Sequence, residues 1–170
     1  MPIEFSDYDL SWPAEAARSM AELRPLFPVI EHVGSTAIPG LAAKPVIDLM
    51  ASTPDLDAVD EAALTALGYV REETGMRNRL FYGRDTDGVR THHFHVIPAE
   101  NWDSRNERLL RDHLLAHPEA AAEYGELKRG LAATESDGLV YTKGKTALIQ
   151  KLVDREREAR GLPASDVWED

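Results

Sequence analysis

The 170-residue chain carries 30 acidic against 19 basic side chains, a formal net charge of −11 at pH 7, and no cysteine. The missing thiols exclude disulfides and thiolate zinc sites, which suits a cytoplasmic setting, and the acidic balance argues against sequence-independent binding of nucleic acid or anionic lipid. The length suits one domain over residues 1–160 with a tail over 161–170, while no run approaches the roughly 20 apolar residues of a membrane span and the N-terminus has no signal-peptide pattern.

Ile3 to Asp7 reads as a short edge strand. Ser11 is placed as an N-cap before Trp12-Pro13, and Trp12, Ala16, Met20, Leu23 and Phe27 recur at helical spacing, which predicts a helix to about Leu26 closed by Pro28. The β-branched run Val29 to Val33 predicts a strand that stops at Gly34-Ser35-Thr36. A helical turn starting there would turn backbone N–H groups and two hydroxyls toward an anion, typically phosphate. Pro39-Gly40 marks a bend, and Pro45 the entry to a second strand, Val46 to Met50. Alternation puts Val46, Asp48 and Met50 on one face and Ile47 and Leu49 on the other. A carboxylate in an apolar strand is costly to bury unpaired. Asp48 therefore reads as a metal or nucleotide ligand, or as a strand residue hydrogen-bonded to a neighbouring loop.

Thr53-Pro54-Asp55 predicts a helix start, with Leu56, Val59, Ala63, Leu64 and Leu67 as its buried stripe and Gly68 as its end. Tyr69 to Glu73 and Arg79 to Arg84 read as strands around the polar loop Thr74 to Asn78. Asp85-Thr86-Asp87-Gly88 reads as a hairpin loop, and Val89 to Ile97 as the return strand. Ser104-Arg105-Asn106-Glu107 has the form of a capping box, with Leu109, Leu110, His113 and Leu114 next on one helical face. Pro118 opens a second helix with Tyr124, Leu127 and Leu131 inward, and Thr134 to Gly138 is a loop. A third helix buries Tyr141, Leu148, Ile149, Leu152 and Val153, then runs into the solvated charges Asp154 to Arg160 and a mobile tail from Pro163 to Asp170. A helix, a mixed sheet of about five strands and three helices make an α+β layout.

Arg90 to Ile97 is the second informative stretch. Alternation places His93 and His95 on one face and His92, Phe94 and Val96 on the other. Two imidazoles two residues apart on a strand suit one metal ion or one phosphate. With Asp48 they would make a two-histidine, one-carboxylate set suited to a divalent transition metal with open positions, the alternative being a polar face of hydrogen-bonded histidines. Lys44, Arg77, Arg79, Lys143 and Lys145 are the cations placed to neutralise a triphosphate, although Arg77 and Arg79 equally suit an exposed strand edge guarded by charge. Glu31 and His32 face opposite sides of their strand, so at most one faces such a site.

The run Glu31 to Asp48 (EHVGSTAIPGLAAKPVID) resembles the signature of the GrpB family. His93-Phe94-His95-Val96, Arg111-Asp112-His113-Leu114 with His117-Pro118, Tyr124 to Lys128 and Tyr141 to Lys145 agree in order, so the resemblance covers about residues 5 to 155. It implies a nucleotidyltransferase-like fold, and some members are fused to dephospho-CoA kinases. In that superfamily a Gly-Ser turn precedes two carboxylates one residue apart on the next strand, with a third on a later strand, and the two metals they hold position an NTP. Gly34-Ser35 and Asp48 match that pattern, whereas Met50 takes the second carboxylate's place and His93 or His95 the third's.

Together these readings imply a nucleotidyltransferase-like α+β domain, with a mixed sheet of about five strands, flanking helices and a C-terminal helical segment. It is expected to bind a small-molecule nucleotide, an NTP as substrate or ligand, and to transfer a nucleotidyl group to an unnamed acceptor. The alternatives are a non-catalytic nucleotide-binding or protein-partner domain and a metal-dependent phosphoester hydrolase. Asp48, His93 and His95 are the expected catalytic residues and the ligands of one divalent ion, Mn²⁺, Zn²⁺ or Mg²⁺. Gly34, Ser35, Thr36, Lys44, Arg77, Arg79 and Lys143 are the expected phosphate contacts.

Overall fold

The protein's structure, a computed structural model, describes residues 5–134 and 138–167, with side chains throughout except at 134–142. In chain order the elements are α1 (Trp12–Leu23), β1 (Ile30–Val33), β2 (Ile47–Thr53), α2 (Glu61–Ala66), β3 (Val70–Arg71), β4 (Leu80–Thr86), β5 (Val89–Pro98), α3 (Asn106–Ala116), α4 (Pro118–Thr134) and α5 (Gly138–Arg160). Single 3-10 segments lie at Ser35–Ala37, Leu56–Ala58 and Ala99–Ser104. The strands form one mixed sheet in the order β1-β2-β5-β4-β3, with β2 and β5 parallel and the other neighbours antiparallel.

Strand alternation sorts the sheet into two faces. One buries Leu49, Ala51, Tyr82, Phe94 and Val96 with Trp12, Ala16 and Leu23 of α1. The other buries Val33, Met50 and Ile97 against Trp102. Large side chains buried in this way contribute about 1.5–3 kcal/mol each by leaving water. A separate cluster of Ile38, Leu41, Leu114, Tyr124, Leu148 and Leu152 ties the segment before β2 to α3, α4 and α5. Two glycines allow that packing: a Cβ at Gly125 would lie 3.0 Å from Leu41, and one at Gly144 would run into Leu131. Among the described residues, no helix is long and apolar enough to cross a membrane.

Local signals were overridden in several places. Thr53 belongs to β2, as suits a residue before proline, which is driven to extended backbone. Asp55 therefore caps only a 3-10 turn, and α2 starts after Asp60, whose carboxylate accepts the Ala63 N–H at 3.0 Å. The hairpin turn is just Asp87-Gly88, with φ 52° and 78°, tighter than a four-residue loop. The Ser104–Glu107 capping box does not form. Arg105 takes the N-cap without a side-chain bond, and Glu107 is drawn instead to Arg79 at 2.6 Å, a charge-assisted bond stronger than a cap. Ser11 makes no side-chain cap, and α1 ends at Leu23. The strand expected over Tyr69 to Glu73 shrinks to Val70–Arg71.

The expected first edge strand is a single Ser6–Ala43 bridge, with Ile3 and Glu4 outside the described residues. The loop expected over Thr134 to Gly138 lies largely outside them, as does the side chain of Tyr141. The tail is not loose as far as Val167. Arg157 donates to the Pro163 carbonyl, Gln150 to the Ser165 carbonyl, and the Val167 N–H to Gln150 Oε1.

Candidate functional site

Asp48 stands opposite Val33 of β1 and His93 of β5 in the sheet register, and His93 Nδ1 lies 3.2 Å from its Oδ1. Gly34 leaves β1 at φ 75°, ψ −177°, a conformation open essentially to glycine alone, and a Cβ there would overlap the Asp48 carboxylate. The turn is thus pressed onto Asp48. The chain then makes one 3-10 turn, Ser35–Ala37, and not the start of a longer helix. A helical turn does start here, but it is too short to carry a helix macrodipole, and the positive charge at the site comes from side chains.

Those side chains are lysines. Lys44 before β2, Lys128 of α4 and Lys145 of α5 line a cavity of about 200 Å³ with Ser35, Thr36, Asp48 and His93. Lys128 is 2% exposed and donates to Ser35 Oγ at 2.7 Å and the Ala42 carbonyl at 3.2 Å. Burial, then repulsion from Lys145, brings its ammonium down from 10.5 to about 7, with Asp48 opposing and Lys44 adding to the fall. Burial lowers Lys145 against the pull of Asp48, and burial with Lys145 next lowers Lys44. Three lysines crowd one carboxylate, and Lys145 makes the protons of both Lys44 and Lys128 harder to hold.

Two of the neighbouring polar groups are neutral. Burial pushes His32 down to about 4, against Asp48 and with Arg111, and its Nε2 lies 2.8 Å from Thr36 Oγ1. Burial raises the Tyr124 hydroxyl, beside Ser35, to about 12. Gly34, Ser35, Asp48, Arg111, Tyr124 and Lys145 share a further cavity of about 140 Å³. Arg111 and Arg108 of α3 hold Glu31 at 2.6 and 3.1 Å, which answers which of Glu31 and His32 has a charged partner.

The expected site residues are only partly brought together. Gly34, Ser35, Thr36, Lys44, Asp48 and His93 converge. His95 shares the sheet face of His93, but its Nδ1 lies 3.0 Å from the Arg79 guanidinium, which pairs with Glu107. Burial pushes His95 down to about 4, so a neutral imidazole accepts from Arg79. The expected Asp48–His93–His95 metal set does not assemble, because Arg79 holds the third ligand. Among the described residues, no three His, Cys, Asp or Glu side chains gather to hold an ion. Met50, where a second carboxylate would stand, is fully buried among Val33 and Ile97. The residues present therefore do not fit a two-ion centre.

Arg79 lies in a different cavity from the lysines, and Arg77 is exposed in the loop before β4. Lys143 is exposed, whereas Lys145 faces the cavity, because two residues turn a helix by about 200°. Sequence reasoning missed Lys128 and Tyr124 as site residues. A signal was present: Lys128 comes four residues after Tyr124, which puts a lysine on the inward face of α4.

A family model described as GrpB protein matches residues 2–155. The chain belongs to the GrpB family. A UPF0157 protein of Pseudomonas aeruginosa is 37% identical over 174 residues, covering 95% of this chain and 70% of its own length. A UPF0157 protein of Bacillus subtilis is 38% identical over 125 residues, where the match takes in 71% of this chain but 36% of the longer relative. The crystal structure of GrpB from Enterococcus faecalis is similar with a TM-score of 0.78 at 28% identity, over 92% of this chain and 99% of that one. Terminal uridylyl transferase 4 of Trypanosoma brucei, solved with bound dUTP, aligns at 12% identity with a TM-score of 0.50, over 96% of this chain and 60% of that one. That likeness carries the fold: the GrpB-family chain has a nucleotidyltransferase-like α+β architecture.

Proposed function

We propose that the lysine cavity binds the phosphates of a small-molecule nucleotide, and that the chain is a nucleotidyltransferase-like protein acting on, or sensing, an NTP. The observation that carries this reading is the convergence of Lys44, Lys128 and Lys145 on Asp48 beside the Gly34-Ser35 turn. A polyphosphate placed there would be met by ammonium groups whose protons are already weakly held, and would relieve their mutual repulsion. Ser35 and Thr36 line the same cavity, the Thr36 hydroxyl being engaged with His32. In this reading the lysines take over charge neutralisation that carboxylate-held ions supply elsewhere in the superfamily.

Met50 favours a second reading, binding without transfer, because the side chain at the second carboxylate position is apolar and buried. Calorimetry with ATP, UTP and pyrophosphate, with and without Mg²⁺, Mn²⁺ or Zn²⁺, tests the site. Lys145→Met and Ser35→Leu should weaken binding by about 10- to 100-fold, the worth of a hydrogen bond to a charged group. Unchanged affinity in both variants, or no phosphate binding by wild type, would refute it. Product analysis after incubation with labelled NTP separates transfer from binding, and an ion that restores tight binding to Lys145→Met would return charge neutralisation to a metal.

A further inference from the structure

Asp48 and Gly34 border another chamber, distinct from the lysine cavity. Its volume is about 330 Å³, larger than the lysine cavity and within the range of small-molecule sites. Its walls are of a different kind. Val33, Leu110, Ile149, Val153 and Val167 are apolar, and no lysine lines it. Val167 comes from the tail, which the bonds to Gln150 and Arg157 strap across α5, so the chamber has a wall on that side as well.

The charged groups at its polar end are matched. Arg79 pairs with Glu107 at 2.6 Å and donates to His95, whose imidazole is neutral. Burial works against the Glu107 carboxylate, yet Arg79 holds it below the ordinary carboxylate range, so the pair stays ionised and balanced. An anion would find no net counter-charge at that end, and a cation at Asp48 would face the three lysines of the neighbouring cavity. Asp48, at the junction with the lysine cavity, is an acceptor at the chamber's edge.

We infer that this chamber binds a small, uncharged, largely apolar or aromatic alcohol, with its hydroxyl turned toward Asp48. Its role as the other half of a two-part site rests on the phosphate reading above, but its ligand class comes from its own walls. Asp48 is in the walls of both chambers, so a hydroxyl at Asp48 in one would stand next to a phosphate in the other.

The test titrates benzyl alcohol, toluene and benzoate into isotopically labelled full-length protein and records amide shifts. Benzyl alcohol should move Leu110, Ile149 and Val153 saturably, and toluene should bind about 10- to 100-fold more weakly for want of one hydrogen bond to a carboxylate. Benzoate should bind weakest. Ile149→Trp, which fills the chamber, should weaken benzyl alcohol by about tenfold or more and leave pyrophosphate affinity unchanged. Should that variant not fold, Val167→Trp from the tail reports the same loss. Lys128→Met should do the reverse, losing pyrophosphate and keeping benzyl alcohol.

Pyrophosphate binding with no saturable shift from any alcohol up to about 10 mM would overturn this inference and leave the phosphate reading standing. Benzyl alcohol binding without pyrophosphate binding would support the chamber and overturn the phosphate reading. Benzoate binding as tightly as benzyl alcohol, or binding undiminished in the filled variant, would overturn the inference as well.

Discussion

Replacing Lys128 with methionine should stabilise the protein at neutral pH, and the gain should disappear in alkali. The native fold holds the Lys128 ammonium at about 7 against an ordinary 10.5. At 1.36 kcal/mol per pH unit, that corresponds to about 5 kcal/mol of native-state cost for carrying the proton. The unfolded chain keeps the ordinary value. Between about pH 10.5 and 7 the unfolded state therefore binds more protons than the native one, and stability rises with pH in that window. Below about pH 7 both states hold the proton and the full cost is present, whereas above about pH 10.5 neither does. Methionine removes the cost but withdraws a donor from Ser35 Oγ and the Ala42 carbonyl, worth about 1–2 kcal/mol apiece. The balance is a gain of about 1–3 kcal/mol near pH 6, turning into a loss of about 2–4 kcal/mol near pH 10.5. Urea unfolding of both proteins across that range reads the difference directly. A difference that does not change with pH, or a variant less stable near pH 6, would refute the argument that three crowded lysines strain this cavity. The same linkage makes phosphate binding take up a proton near about pH 8, because an anion raises the Lys128 value; calorimetry in buffers of different ionisation enthalpy measures it.

Gly34→Ala should cost about 2–4 kcal/mol in urea unfolding, from a backbone region closed to alanine and a methyl driven into Asp48. A change below about 0.5 kcal/mol would mean that the turn is not pressed onto the carboxylate. Glu107→Ala should destabilise by about 3–5 kcal/mol because Arg79, 1% exposed, is left as a buried charge without that carboxylate. In wild type that contribution is present above the ordinary carboxylate value of 4.5 and is lost as pH falls through the lower folded one. His32, His92 and His95 all fall from 6.5 to about 4, chiefly through burial, and His92 also sits 2.8 Å from Ser19 inside the core. Each binds fewer protons folded than unfolded, so stability should drop from about pH 6.5 toward 4, and a melting temperature unchanged between about pH 7 and 5 would contradict their burial.

By itself the sequence determined what has a short, fixed period. Alternation along β2 and β5 puts Asp48, Met50, His93 and His95 on one face and Leu49 and Phe94 on the other, because a strand turns its side chains over every second residue whatever lies across from it. The long run from Glu31 to Asp48 likewise carried the family and, with it, the fold. What the tertiary structure alone decided was which partners reach those side chains. His93 and His95 are equivalent in the strand, yet one meets Asp48 and the other is taken by Arg79, just before β4, which in turn pairs with Glu107 of α3. Lys128 lies 93 residues from the Ser35 hydroxyl it serves. Its place depends on how closely α4 packs on Leu41, which Gly125 permits. Lys145 enters the cavity and Lys143 does not because of the phase in which α5 meets α4 at Gly144. Such a phase is set by long-range packing, where a rotation of two residues about the helix axis would exchange the lysine in the cavity for a solvated one.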